Sequence, residues 1–179
     1  MENYVVENEF NYKGFKCVVV FSREGFRYGS VGFSKEELDI IRLADVDLEE
    51  DIKCHGRLTY FYFGDKEIDK TYPIVSNLMW VEFDCGHCDD KPDFEIKYNL
   101  FGKNYDKFRR VSADFYDDNC IMRTKEFVED ECRSMVDQMI GMIDISVFKE
   151  KRDMYNKVVE DFESGKLKTS ILRGEQDEN

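Results

Sequence analysis

Near Thr124 the chain changes its repeat, and that change restricts the folds open to it. Upstream, Phe15-Lys16-Cys17-Val18-Val19-Val20-Phe21 is a β-branched and aromatic run that suits a pleated strand. Downstream, Val128, Cys132, Met135, Val136, Met139, Ile140 and Ile143 recur at three- and four-residue steps, which is the stripe of an amphipathic helix. Strand-like segments followed by helical ones bury both apolar surfaces when the helices lie against an antiparallel sheet. The expected fold class is therefore α+β: an antiparallel sheet of about five strands with two C-terminal α-helices packed on one face.

The elements follow from local signals. Strands are expected over residues 4–10, 15–21, 26–33, 52–63 and 78–84. Asn11-Tyr12-Lys13-Gly14 and Arg23-Glu24-Gly25 supply turns between the first three. Phe94, Ile96 and Tyr98 alternate with polar residues, as a half-buried strand would. Ser34 and Glu37 match a capping box and open a short helix over 36–43. Thr124 can cap a helix over 125–143. A second helix over 147–163 takes its stripe from Phe148, Tyr155, Val159 and Phe162, with Gly165 as its stop. With only 2 prolines no stiff linker divides the chain, so residues 1–165 are expected to form one domain and 166–179 a polar tail. The methionines of the first helical stripe fit a core better than a partner surface.

Charge narrows the partners. The formal net charge is −13. Residues 1–145 hold 19 basic against 31 acidic side chains, while 146–174 hold seven basic against five acidic. A surface of that sign repels phosphate backbones, which disfavours direct, non-specific binding to DNA or RNA, and it attracts basic protein surfaces. The same acidity also serves solubility alone. No apolar run approaches the roughly 18 residues that a membrane helix needs, and the N-terminus lacks the basic start of a secretory signal. The expected location is the cytoplasm, where the six cysteines remain thiols. Cys17 and Cys132 fall inside apolar patterns and are expected to be buried.

The two histidines of the chain mark where chemistry would sit. They lie in Cys54-His55-Gly56-Arg57-Leu58-Thr59-Tyr60 and in Phe83-Asp84-Cys85-Gly86-His87-Cys88-Asp89-Asp90, each at the end of an expected strand. Strands about 4.8 Å apart can bring such ends into contact, so His55 and His87 are expected to be neighbours, with Asp84 or Asp90 in reach. Three readings stay open. Cys54, Cys85, His87 and Cys88 are possible ligands for zinc, and Asp84, His87 and Asp90 for a harder ion such as magnesium. His55, Asp84, His87 and Asp90 could act as acid–base groups of a small hydrolase or nuclease. Alternatively the histidines only tie loops together. No phosphate-binding loop, dinucleotide fingerprint or nucleophile elbow is present.

The same residues carry a resemblance. His55-Gly56-x-Leu58-Thr59-Tyr60, followed by Phe83-Asp84-Cys85-x-His87-x-x-Asp90, is similar to a family of small phage- and prophage-encoded proteins. That family reads His-Gly-Gly-Leu-Thr-Tyr and then Phe-Asp-x-x-His-x-x-Asp. Phe26-Arg27-Tyr28-Gly29-Ser30-Val31-Gly32 resembles its early aromatic and glycine-bearing segment. Arg57 stands where the pattern has its second glycine. The resemblance implies an anti-defence role in the host cytoplasm, with a host defence protein or ribonucleoprotein such as a CRISPR–Cas effector as partner. On that reading Asp45, Asp47, Glu49, Glu50, Asp51, Asp114, Asp117 and Asp118 face lysines and arginines of the target. A second copy of the chain is a further candidate partner. The alternatives are the hydrolase or nuclease above, acting on a guide RNA or nucleotide, and a non-catalytic structural or regulatory phage protein.

Overall fold

The computed structural model describes residues 3–43, 47–63, 77–102 and 116–164. Five strands form one antiparallel sheet: β1 (Tyr4–Tyr12), β2 (Phe15–Ser22), β3 (Arg27–Phe33), β4 (Tyr60–Phe63) and β5 (Met79–Asp84). Their order across the sheet is β1-β2-β3-β5-β4. The helices are α1 (Lys35–Leu43), α2 (Leu48–Asp51), α3 (Phe94–Phe101) and α4 (Lys125–Glu163). The class is α+β, as the switch in repeat implies. No helix among the described residues is long and apolar enough to cross a membrane.

The main core lies between one sheet face and α4. Cys17, Val19, Val31, Phe33, Val81 and Phe83 from the strands meet Val128, Cys132, Met135, Val136 and Met139 from the helix. Cys17 and Cys132 are buried, as their apolar surroundings suggest. Gly29 leaves room for Phe83 of the neighbouring strand and for Cys132 of α4. A Cβ there would stand 2.4 Å from the Phe83 ring and 2.9 Å from Cys132 Sγ. The opposite face carries a smaller cluster of Val18, Val20 and Trp80.

β1 serves both faces because its register shifts between Val6 and Asn8. One extra residue reverses the parity of a strand. Tyr4 therefore packs with the smaller cluster, while Phe10 and Tyr12 pack with the main one. The extra residue, Glu7, reaches the buried Arg27 through a two-bond contact at 2.7 and 3.1 Å. Arg27 also donates to Asp93 Oδ2 and to the Arg123 carbonyl, so its charge is matched and each of its three nitrogens makes a hydrogen bond.

Three expectations are corrected. Residues 52–59 are a loop, and strand structure begins only at Tyr60. Gly56 and Arg57 both have positive φ, 68° and 101°, which breaks an extended run. Residues 94–98 are helical in α3, because Asp93 caps Ile96 N at 3.1 Å and five alternating residues cannot outweigh that start signal. The two expected C-terminal helices are one, α4, of 39 residues. Asp144-Ile145-Ser146 contains neither Gly nor Pro, so nothing interrupts the backbone ladder there. Two other starts are as read: Ser34 and Glu37 exchange capping bonds at α1, and Thr124 Oγ1 accepts from Phe127 N at α4. The proposed stop at Gly165 and the tail 166–179 lie outside the described residues.

Candidate functional site

β4 and β5 are antiparallel neighbours, and Tyr60 at the start of β4 lies opposite Glu82 near the end of β5. Whatever precedes β4 therefore meets whatever follows β5 at one end of the sheet. Thr59 N extends the pairing by donating to the Glu82 carbonyl at 2.8 Å. His55 arrives four residues earlier and His87 three residues after Asp84, and the two rings stand edge to face with centroids 5.3 Å apart.

Each segment is fixed by its own bonds. The 52–59 loop is lashed to α4: Lys53 N donates to Gln138 Oε1 at 2.8 Å, and His55 N donates to Glu131 Oε2 at 2.9 Å. Ile52 anchors the loop in the core. The turn after β5 is braced by Gly86 N donating to Asp84 Oδ1 and by Asp90 N donating to the His87 carbonyl. A parallel bridge between Asp90 and Ile121 then brings Arg123 alongside.

Asp90 is the centre of the cluster. It is fully buried. Its Oδ2 accepts from His55 Nε2 at 2.7 Å and from His87 N at 3.1 Å, and its Oδ1 accepts from Arg123 Nε at 2.8 Å. Burial opposes ionisation of this carboxyl, but the bonds from His55, Arg123 and the His87 amide outweigh it and hold its pKa below the ordinary value. With Asp90 ionised, His55 Nε2 is the donor of that bond, which leaves Nδ1 as the ring nitrogen not engaged with Asp90. Phe127 packs edge-on against His55 at 5.5 Å and lies under the Arg123 guanidinium at 4.9 Å, which fixes both.

His87 is held differently. Its Nε2 is buried without a hydrogen-bond partner among the described residues and stands 3.8 Å from Asp84 Oδ1, beyond hydrogen-bond reach. Gly56 covers it: a Cβ on Gly56 would fall 1.6 Å from that nitrogen. The next residue, Arg57, holds φ 101° although it carries a side chain. A buried unpaired ring nitrogen and a strained residue thus occur side by side, a combination that concentrates at functional sites.

Of the residues singled out from sequence, His55, Asp84, His87 and Asp90 are brought together. Cys54, Cys85, His87 and Cys88 are not drawn into one ligand set. Among the described residues no three His, Cys, Asp or Glu side chains are grouped to hold a metal. Cys85 is buried while Cys88 is exposed. Burial raises the Cys85 thiol to about 12 and the Cys54 thiol to about 11, with nearby carboxylates adding to both, so neither is disposed to ionise. Arg123, Glu131 and Phe127 belong to the cluster and were not singled out.

The acidic residues lie elsewhere. Asp47, Glu49, Glu50 and Asp51 are exposed on and beside α2, where the Asp47 carboxylate accepts from Glu49 N and Glu50 N. Asp117 and Asp118 are exposed in a turn. The bond from Asn119 N lowers the Asp117 carboxyl below its usual value, against a smaller cost of burial. Asp45 and Asp114 lie outside the described residues. No family model, curated protein or solved structure matches this chain.

Proposed function

We propose that this protein docks on a basic, nucleic-acid-handling protein of a host defence system in the host cytoplasm, and blocks it. A CRISPR–Cas effector is the target to which the phage-family resemblance points. The observation that carries this reading is the run Asp47, Glu49, Glu50 and Asp51, all exposed. It is held firmly, because Ile52 is buried behind it and Lys53 is tied to Gln138 on α4 through both backbone groups. A pre-organised acidic patch on a chain of net charge −13 gains association rate from long-range attraction to a basic channel. The His55–Asp90–Arg123 network then serves as the clasp that fixes the loop following α2 to the turn after β5 and to the start of α4.

The test is a titration of the nuclease activity of a purified Cas effector. Inhibition should saturate near one equivalent and weaken as salt rises, since screening acts over ~8 Å at physiological ionic strength. The quadruple variant Asp47→Asn, Glu49→Gln, Glu50→Gln, Asp51→Asn should lose inhibition and keep its fold, because Asn still caps α2.

A second reading has its own observation. The His55–Asp90 bond at 2.7 Å is the arrangement by which a carboxylate orients a general base. On this reading the protein is a small hydrolase or nuclease acting on a guide RNA or nucleotide. It predicts inactivation far below one equivalent, abolished by His55→Ala or His87→Ala and indifferent to the acidic patch. That outcome would replace the docking reading.

A further inference from the structure

The helix α4 is far longer than the sheet beneath it. At 1.5 Å per residue its 39 residues span ~58 Å, whereas a nine-residue strand spans ~30 Å. Its core stripe ends with Met139, Ile140, Met142 and Ile143. Beyond Asp144 the helix continues past the described core, and it carries Met154 and Val158 at 66 % and 51 % exposure. These are large apolar residues to leave in water.

The sequence of that overhang has an order of its own. Phe148, Tyr155 and Phe162 recur every seven residues, and Val158 follows Tyr155 by three. That is the a/d spacing of a helix that pairs with another helix. Charge is divided along it as well. Lys149, Lys151, Arg152 and Lys157 outnumber Glu150 and Asp153 in the first part, and Glu160, Asp161 and Glu163 close it with no base between them. Two such helices running parallel would set like charges side by side. Running antiparallel, the basic part of each lies along the acidic end of the other.

We infer that the overhang of α4, residues 145–163, is a homodimerisation arm that pairs antiparallel with the same segment of a second copy of this chain. The contact is isologous, so one patch serves both subunits and the assembly closes at two. Met154 and Val158 become covered, and the opposed charges fix the direction.

Analytical ultracentrifugation of the full chain across a concentration series tests this. The wild type should show a monomer–dimer equilibrium. The variant Met154→Ser, Val158→Ser should weaken it by at least roughly tenfold in Kd, with a melting temperature close to the wild type's at concentrations where both are monomeric, because these side chains are exposed in the single chain. Two charge variants probe the direction: Lys149→Glu, Lys151→Glu, Arg152→Glu, and Glu160→Lys, Asp161→Lys, Glu163→Lys. Each alone should be monomeric, and an equimolar mixture should regain the dimer. A wild type monomeric throughout, a dimer indifferent to the Met154/Val158 change, or charge variants that dimerise alone would each overturn the proposal.

Discussion

At the scale of single residues, Gly56 and Asp90 carry the cluster. Gly56 lies directly against His87, so Gly56→Ala forces the ring out of place or the loop off it. A loss of about 1–3 kcal/mol in unfolding free energy is expected, together with a changed environment of the His87 ring visible by NMR. Asp90 sets a pH dependence. Its folded-state pKa is depressed, so it stabilises the protein above its unfolded value of 3.8, and that contribution is lost as pH falls through the lower folded value. Urea midpoints should therefore drop below about pH 4 in the wild type, and Asp90→Asn should be less stable near neutrality and flatter in acid. The convergence of His55, His87 and Asp90 was legible in the sequence, because strand ends flanking two paired strands must share one end of a sheet. Arg123 and Glu131 were not legible. Arg123 reaches Asp90 across 33 residues through an isolated bridge at Ile121, and Glu131 looks like any polar neighbour of the helical stripe. Arg57 gives the opposite lesson. It occupies a positive-φ position, which favours the glycine of the pattern that this segment resembles. Arg57→Gly should accordingly be neutral or stabilising in a thermal melt.

At the scale of elements, the stability of the sheet depends on the first half of α4. Met135 and Met139 are fully buried between α4 and the strands, and truncating either to Ala should cost about 2–5 kcal/mol by chemical denaturation. Gly29→Ala should be similarly damaging, since its Cβ would need space held by Phe83 and Cys132. Removing residues 145–179 should leave that core folded, because Val128 to Ile143 supply the buried surface. The strands of the first meander and the start of α4 were readable because their periods are long and unmixed. The 52–59 loop was not, since Ile52, Leu58 and Thr59 suit a strand that runs on into the aromatic Tyr60–Phe63, and the positive φ of Gly56 and Arg57 excludes one. Residues 94–98 misled for a related reason: an aromatic pair four apart, Phe94 and Tyr98 at 5.9 Å, fits a helix as well as alternation fits a strand.

At the scale of the whole molecule, the charge distribution and the order of the strands matter most. The acidic patch at α2 and the helical arm are separate features, so the quadruple α2 variant should lose docking yet retain dimerisation, and the Met154/Val158 variant should do the reverse; sedimentation and the nuclease titration together separate them. The strand order has a consequence for how the chain is made. β4 can pair only with β5, and β5 must slot between β4 and β3. The face of Cys17, Val19 and Val31 then waits for Val128 to Met139, which the ribosome delivers only about 100 residues after β3. At 5–20 residues per second that is roughly 5–20 s during which the nascent sheet displays an oily surface, and for about the first half of it, until β5 is made, the β3 edge is also unpaired. Such an intermediate is a natural client for holding chaperones at the tunnel exit, and it puts a premium on finishing synthesis quickly.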